Sequence, residues 1–222
     1  SITWHSLVYA FHFIKLCTSM LKNNFKITHF VVIMSSLLFI LFHYPFFKFV
    51  FNNVDYKSFT GVSIIVSLVI AMLVANAFAL FLIFFLSRLV GKILLVLFFI
   101  INAVAVYFIN TYSVIIDESM IGNVLNTNYS ESSSFFSIKL VLYVVFLGIL
   151  PSIFIIKAKI ITVTVKKFLV SISLTLLFLL TLAFANASNW LWIKKNSKTL
   201  GGLAMPWSYA VNIPLFYIHQ FK

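Results

Sequence analysis

The sequence predicts an all-α membrane protein, a five-transmembrane-helix bundle with an amphipathic helix on its outer side between spans 3 and 4. The first reason is composition. Of the 222 residues, 63% are hydrophobic and 9% are charged, and the mean hydropathy is +1.12, whereas a soluble domain carries about 25% charged residues. The second reason is that the apolar residues form blocks of about 20, long enough to cross a hydrocarbon core as helix. The third is the arrangement of basic residues between those blocks, which is typical of membrane proteins.

The five apolar blocks define the predicted spans. They are Phe30–Phe51, Gly61–Leu86, Ile93–Ile116, Leu140–Ile156 and Phe168–Ala187. Valine, isoleucine and phenylalanine are abundant in them, a composition that favours strands in water. In lipid, however, every backbone N–H must be bonded within its own segment, so uninterrupted runs of this length predict helices. A transmembrane barrel would show shorter segments of alternating polarity.

The connections between the blocks predict the orientation. The N-terminal stretch and the second and fourth connections carry basic residues and no acid: Lys15, Lys22, Lys26, Arg88, Lys92, Lys157, Lys159, Lys166 and Lys167. All four acids lie in the first and third connections, with Lys48, Lys57 and Lys139. Cytoplasmic loops are enriched in Lys and Arg, so the N-terminus is predicted in the cytoplasm and the C-terminus outside. Lys194, Lys195 and Lys198 in the C-terminal stretch oppose this orientation only mildly.

The same pattern divides the chain into three parts. Residues 20–187 are predicted as the five-span membrane domain and residues 188–222 as a tail on the outer side. From Met20 onward the chain reads as a short basic lead into the first span, so residues 1–19 are predicted as an extension that precedes the natural start. An interfacial helix is the alternative for residues 1–19, since aromatic residues and one lysine also suit a membrane surface.

Neither nucleic-acid binding nor catalysis is predicted for this chain. The formal charge is +12, but the 16 basic residues are distributed among the connections and form no single patch. Cys17 is the single cysteine and the five histidines are dispersed, so the sequence has no metal-ligand motif. It also has no P-loop and no Gly-x-Ser-x-Gly motif. Asp117 and Glu118 are adjacent, and adjacent residues on a helix point about 100° apart. No catalytic residue, metal site or cofactor is therefore predicted here.

The third connection, IIDESMIGNVLNTNYSESSSFF, is too polar to cross a membrane but has a helical pattern. Its apolar residues recur at the period of a helix and alternate with small polar residues. Asp117 can cap the start of this helix, and Glu118 suits its first turn. The segment is therefore predicted as an amphipathic helix at the outer membrane–water boundary.

Asn123, Thr127 and Glu131 lie at positions i, i+4 and i+8, and form one stripe if this helix continues that far. A carboxylate can bind an ammonium group and an amide can donate to a phosphate oxygen, so the stripe is a candidate substrate-binding site for a zwitterionic headgroup. The alternative is the solvated face of an ordinary interfacial helix. In addition, the serines from Ser130 to Ser134 can end the helix before Glu131.

Polar and aromatic residues elsewhere have structural interpretations. Asn76, Asn102 and Asn110 lie within or at the end of apolar blocks and are predicted to form hydrogen bonds between helices. Trp190, Trp192 and Trp207 are predicted to belong to an aromatic belt at the membrane surface.

Three segments of the chain carry a resemblance to a known family. Residues 102–132 read NAVAVYFINTYSVIIDESMIGNVLNTNYSES, the fourth block contains LGILPS, and the tail contains GGLAMPWSYAVN. These segments resemble the bacterial phosphoethanolamine transferases that modify lipid A, including the mobile colistin-resistance enzymes. The resemblance extends from about Met20 to Lys222 and is specific between Tyr107 and Glu131.

The resemblance implies a role in the bacterial inner membrane, with the C-terminus in the periplasm. The chain would be the membrane domain of an enzyme that moves phosphoethanolamine from phosphatidylethanolamine to lipid A or a related acceptor. Asn123, Thr127 and Glu131 match family residues that reach toward the donor headgroup. Zinc and a threonine nucleophile belong to the family's soluble periplasmic domain, which is a possible partner. This chain, which lacks that domain, is not expected to catalyse transfer alone.

Two other functions are weighed against this one. A small transporter would need polar residues inside the spans, and an inverted repeat would support it, but neither is evident in the sequence. An inert anchor or accessory subunit is the second alternative. A downstream reading frame for a zinc-dependent soluble domain would distinguish these possibilities.

Overall fold

The computed structural model describes residues 24–128, 130 and 134–220. The predicted extension, residues 1–19, therefore lies outside the described residues, and so does Glu131. Two short strands are present, β1 (Phe25–Lys26) and β2 (Ile160–Ile161). The helices are α1 (Ile27–Phe42), α2 (Tyr44–Asn53), α3 (Phe59–Leu86), α4 (Arg88–Tyr112), α5 (Glu118–Asn126), α6 (Ile138–Lys157, with a π-helical turn at Val144–Ile149), α7 (Val165–Ala185), α8 (Trp190–Lys195), α9 (Ser197–Leu203) and α10 (Trp207–Gln220).

The predicted all-α membrane bundle is confirmed. Helices α3, α4, α6 and α7 are each long and apolar enough to cross a membrane, and the count reaches five if the bent pair α1–α2 is one span. This pair corresponds to the first predicted block, but its two helices meet at 63°. The bend has a local cause in Pro45, which lacks an N–H and whose ring clashes with the carbonyl of Leu41 in a continuous helix. Helix α1 accordingly ends at Phe42, and Pro45 lies in the first turn of α2.

The bundle core lies among α1, α3 and α4. Phe30, Phe42, Phe84 and Phe99 are fully buried there. The Phe30 ring packs edge-on against Phe84 with centroids 5.2 Å apart, and Phe42 packs in the same way against Phe99 at 5.6 Å. Such pairs contribute about 0.5–1.5 kcal/mol beyond their buried area. Aromatic side chains therefore fill the space that smaller residues would leave between these helices.

One end of the bundle is basic. Strands β1 and β2 pair there in parallel, with Phe25 opposite Ile160. The Arg88 guanidinium donates to the Ile160 carbonyl at 3.1 Å, and the Lys92 ammonium donates to the Ile156 carbonyl at 2.8 Å. We call this the basic end. It carries the described residues that are predicted to face the cytoplasm: Lys26, Arg88, Lys92, Lys157, Lys159, Lys166 and Lys167.

At the opposite end the chain after α7 folds back onto the bundle. Leu200, Leu203 and Met205 are buried and belong to the bundle core. Residues 188–220, predicted as an outer tail, thus include segments packed against the membrane helices. We call this the cleft end, because α5, α9 and α10 enclose a cleft there.

The asparagines in the apolar blocks do bond between helices, as predicted. The Trp207 indole N–H donates to the Asn76 side chain at 2.8 Å, and the Tyr209 hydroxyl donates to the Asn102 side chain at 2.9 Å. Both bonds tie α10 to the long helices. Asn110 donates to the Tyr143 hydroxyl at 3.3 Å and links α4 to α6.

The prediction that Trp207 belongs to an aromatic belt is wrong, because its N–H bonds to an asparagine that is buried between helices. Trp207 and Tyr209 instead fix the first turn of α10 on the interior of the bundle.

Candidate functional site

Helix α5 begins as the sequence predicts. The Asp117 carboxylate accepts hydrogen bonds from the Met120 N–H at 3.0 Å and from the Ser119 hydroxyl at 2.7 Å. Burial is the largest single influence on the pKa of Asp117 and raises it, but these two hydrogen bonds and the Lys198 ammonium together outweigh burial. The net effect lowers the pKa, so this N-cap is ionised at neutral pH and complements the helix dipole.

The end of α5 affects the predicted stripe of Asn123, Thr127 and Glu131. The helix ends at Asn126, and Thr127 has an extended backbone conformation. The Thr127 hydroxyl turns back and donates to the Asn123 carbonyl at 2.6 Å. Asn123 and Thr127 are therefore neighbours, but the helical face does not continue beyond Thr127. Glu131 lies outside the described residues, and the substrate-binding roles of all three residues stay predictions.

Helices α5, α9 and α10 enclose a cleft of about 890 Å³. Its wall includes Asn123 but not Thr127. The lining combines charged, amide and aromatic side chains. Its residues are Asp117, Glu118, Ser119, Gly122, Asn123, Asn126, Ser197, Lys198, Gly201, Gly202, Trp207, Val211, Asn212 and Phe216.

Close packing of α10 on α5 forms one side of the cleft. A Cβ atom on Gly122 would lie 2.8 Å from the Phe216 ring, so glycine permits this approach. The Asn212 side chain donates to the Ile116 carbonyl at 3.0 Å. These contacts hold α10 against the start of α5.

Helix α9 closes the other side of the cleft. The Gly202 carbonyl accepts a hydrogen bond from the Ile116 N–H at 2.9 Å. A Cβ atom on Gly202 would lie 3.0 Å from the Ile115 Cβ and 3.4 Å from the Ile116 nitrogen. The segment between α4 and α5 is thus bonded to both α9 and α10, and it fixes their separation.

Charges of both signs meet at the mouth of the cleft. The Lys198 ammonium lies 3.1 Å from the Asp117 carboxylate, and the His219 ring lies 2.8 Å from the Glu118 carboxylate. The Lys198 side chain is 76% exposed, so it can bind a further anion without breaking a buried contact. Lys198 is also the only basic residue among the described residues that line the cleft.

The wall that α10 contributes to the cleft is more apolar than the wall that carries Asp117, Glu118 and Asn123. Trp207, Val211 and Phe216 line the cleft along α10. A polar mouth with both charge signs, continued by an aromatic wall, matches an amphiphile whose headgroup is zwitterionic. The arrangement offers binding groups. Among the described residues no three His, Cys, Asp or Glu side chains converge.

Sequence reasoning identified Asn123 but missed Lys198, Trp207 and Asn212. The segment GGLAMPWSYAVN carried part of the resemblance, yet nothing in its spacing showed that it returns to α5. The available signal was the high content of apolar and aromatic residues after Leu200, which is not typical of an exposed tail.

Comparisons with known proteins agree with this architecture. Residues 73–221 match the family model described as phosphoethanolamine transferase EptA/EptB. The chain is 37% identical over 179 residues to phosphoethanolamine transferase EptA from Helicobacter pylori (strain ATCC 700392 / 26695), covering 80% of this chain and 33% of that protein. It is 32% identical over 90 residues to phosphatidylethanolamine transferase Mcr-2 from Escherichia coli, covering 40% of this chain and 17% of that protein.

A solved structure has the same fold. This chain superimposes with a TM-score of 0.76 and 22% identity on the integral membrane protein lipooligosaccharide phosphoethanolamine transferase A (EptA) from Neisseria meningitidis. The match covers 86% of this chain and 36% of that one. This chain therefore spans about a third of the length of its Helicobacter and Neisseria relatives.

Proposed function

Because this chain belongs to the phosphoethanolamine transferase family and corresponds to the N-terminal transmembrane domain of that family, we propose that it binds phosphatidylethanolamine and presents the headgroup to a catalytic domain. The observation that carries the proposal is the cleft between α5, α9 and α10. Its mouth offers an exposed ammonium, carboxylates and amides within one small volume. A zwitterionic headgroup needs these groups, whereas an anionic lipid would not need the carboxylates.

The residues of the cleft suggest how the donor is held. The Lys198 ammonium and the Asn123 amide bind the phosphate, and the Glu118 carboxylate binds the ethanolamine ammonium. Trp207 and Phe216 contact the glycerol and the first acyl carbons. Thr127 and Glu131, which follow α5 in the sequence, are proposed to contribute further polar contacts to the donor.

The proposed reaction moves phosphoethanolamine from phosphatidylethanolamine to lipid A or a related surface acceptor. Overall, the bond between phosphorus and the glycerol oxygen breaks and a bond between phosphorus and an acceptor oxygen forms. The acceptor gives up a proton and the glycerol oxygen takes one, so that diacylglycerol is released. A soluble domain would contribute zinc and the nucleophile, where the metal would stabilise negative charge on the transferred phosphate. The groups in this chain bind and orient the donor.

The proposed location is the bacterial inner membrane, with the N-terminus in the cytoplasm and the cleft end in the periplasm. The asymmetry of charge supports this orientation, since the basic end carries seven of the described basic residues and none of the described acids, all of which lie at the cleft end. Of the described acids, Asp117 and Glu118 lie in the cleft wall.

Selectivity for phosphatidylethanolamine over phosphatidylcholine tests the headgroup assignment. The purified chain is titrated with each lipid in detergent, and retained lipid is counted by native mass spectrometry. A primary ammonium donates hydrogen bonds to Glu118, and a trimethylated one donates none. Glu118→Gln should therefore lower affinity for phosphatidylethanolamine about tenfold and remove the selectivity, in keeping with a charge-assisted hydrogen bond.

Asp55→Asn is the matched control, because Asp55 is an exposed acid at the cleft end that does not line the cleft. It should leave both affinities unchanged. Equal affinity of the unaltered chain for the two lipids would refute the proposed headgroup site.

The predicted roles of Asn123, Thr127 and Glu131 need a full-length enzyme that contains this membrane domain. Alanine at each position should lower phosphoethanolamine transfer at unchanged protein level in the membrane. Val124→Ala is the control, since Val124 is an exposed residue of α5 outside the cleft wall. Unchanged transfer in the Asn123 and Glu131 variants would show that the assigned roles are wrong.

A further inference from the structure

A second groove lies between α1, α3 and α7. Its volume is about 390 Å³. Short side chains form much of its wall, among them Ser36 on α1, Ala77 on α3, and Ser171 and Thr175 on α7. The groove is separate from the cleft, since none of the described residues lines both.

The groove exists because α7 packs loosely on the bundle. None of the described residues of α7 is buried. Near the basic end, the Phe168 ring stacks on Phe85 with centroids 3.6 Å apart. Near the cleft end, the Ser67 hydroxyl donates to the Asn186 side chain at 2.9 Å. Between these contacts Ser171 and Thr175 are too short to fill the space toward α1.

The groove leads toward the basic end. Lys167, Ser171 and Thr175 lie at i, i+4 and i+8 on α7, so Lys167 continues the stripe of the two groove-lining residues. Thr28 lines the groove on α1, and Lys26 lies two residues before it, at the end of β1. Both lysines are exposed. No acid is found among the described residues that line the groove.

We propose that this groove binds one acyl chain of an anionic phospholipid, with the lipid phosphate held by Lys167 and Lys26. The apolar wall suits an acyl chain, and the two ammonium groups complement a phosphate at headgroup depth. Basic pockets between membrane helices are recognised sites for anionic lipid headgroups, and each nearby lysine contributes about 1 kcal/mol to binding an anionic membrane surface. The ligand differs in charge from the zwitterionic donor proposed for the cleft, so this inference does not rest on that function.

A paired lysine comparison tests the inference. The purified chain is titrated in detergent with phosphatidylglycerol and with phosphatidylcholine of the same acyl chains, and native mass spectrometry counts the retained lipid. Lys167→Ala should weaken retention of phosphatidylglycerol about fivefold. Lys166→Ala should change it little, because the adjacent residue points about 100° away from the groove.

A second variant tests the acyl-chain part. Ser171→Leu fills the groove from the exposed helix α7, so it should reduce retention of phosphatidylglycerol while the helix content by circular dichroism stays unchanged. Equal losses in Lys166→Ala and Lys167→Ala would indicate diffuse attraction to the lipid surface and overturn the inference. So would equal retention of the two lipids by the unaltered chain, or unchanged retention in Ser171→Leu.

Discussion

The two ends of the bundle use charged side chains in different ways. At the basic end, Arg88 and Lys92 donate to backbone carbonyls of the segment that ends α6 and forms β2. These cations bond to the protein itself, and a strand pair closes the same end. At the cleft end, Lys198 pairs with Asp117 but is mostly exposed beside an open cleft. The comparison separates cations that hold the fold from a cation that is free to bind a ligand.

The same contrast applies to the backbone groups at the two ends. At the basic end, Lys92 and Arg88 donate to carbonyls at and just after the end of α6. Their positive charge interacts favourably with the negative end of the α6 dipole. At the cleft end an aspartate caps the positive end of α5. Glu118 and Asn123 are not part of this cap, and both line the cleft. Each end is therefore stabilised by the charge that its helix termini require, and the cleft end retains Glu118 and Asn123 as further polar groups on the cleft wall.

The largest expected effect concerns the packing that shapes the cleft end. Gly202→Ala places a Cβ atom against Ile115 and the Ile116 backbone, so we expect it to destabilise the protein by about 1–3 kcal/mol, as overpacking does. Gly201→Ala is the matched control, because its Cβ would meet nothing within 4 Å. Alanine is the better helix former, so the control should be neutral or stabilising by up to about 1 kcal/mol.

The measurement is the thermal unfolding midpoint of both variants in the same detergent. A lower midpoint for the Gly201 variant than for the Gly202 variant would contradict the described position of α9 against the segment before α5.

The next largest effect tests whether cations at the two ends have different roles. Lys198→Ala should lower phosphatidylethanolamine affinity about fivefold, equivalent to about 1 kcal/mol, and should change stability little, since exposed ion pairs contribute about 0–1 kcal/mol. Arg88→Ala should do the reverse, with about 1 kcal/mol lost in stability and no change in affinity, because it removes a bond to a backbone carbonyl. Lipid titration and unfolding of both variants measure the two effects. A loss of affinity in the Arg88 variant would show that the ends are not separate in function.

The smallest effect is the pH dependence from Asp117. Its folded-state pKa lies below the ordinary value of 3.8, so its charge stabilises the fold fully above that value. This contribution is lost as the pH falls below 3.8 and through the folded-state pKa. Asp117→Asn keeps a good N-cap residue but removes the charge.

The measurement is the unfolding midpoint between about pH 7 and about pH 3 for both proteins, a range that spans the titration of a carboxyl group. The midpoint of the unaltered protein should fall more steeply at the acid end than that of the variant. Parallel curves would show that the charge of Asp117 contributes no stability.

Much of the fold was predictable because membrane helices have a local signal in the sequence, a long run of apolar residues. The long apolar blocks predict helices because every backbone polar group must be bonded within its segment in lipid. The same need predicts that Asn76 and Asn102 bond to other helices. The Asp117 cap follows from its position just before a helical pattern. The bend between α1 and α2 was not predicted, although Pro45 was visible, because a continuous apolar block favours one span. Hydropathy averages over the break at His43, whereas the proline acts on one turn of helix.

The cleft was predictable only in part. Asn123 was found because it lies on a local amphipathic pattern. Lys198 and Trp207 reach the cleft only through the return of the chain after α7, which depends on tertiary contacts such as the Trp207–Asn76 bond. Tertiary contacts of this kind leave no period or motif in the sequence.

Photocrosslinking tests the central claim, that the cleft binds phosphatidylethanolamine, most directly. The chain is reconstituted with phosphatidylethanolamine that carries a diazirine close to an acyl ester group, and crosslinked peptides are identified by mass spectrometry. We predict crosslinks in residues 118–126 and 197–220, suppressed by excess unlabelled phosphatidylethanolamine but not by phosphatidylcholine. Crosslinks spread evenly over the lipid-facing helices, or unaffected by unlabelled phosphatidylethanolamine, would contradict the claim.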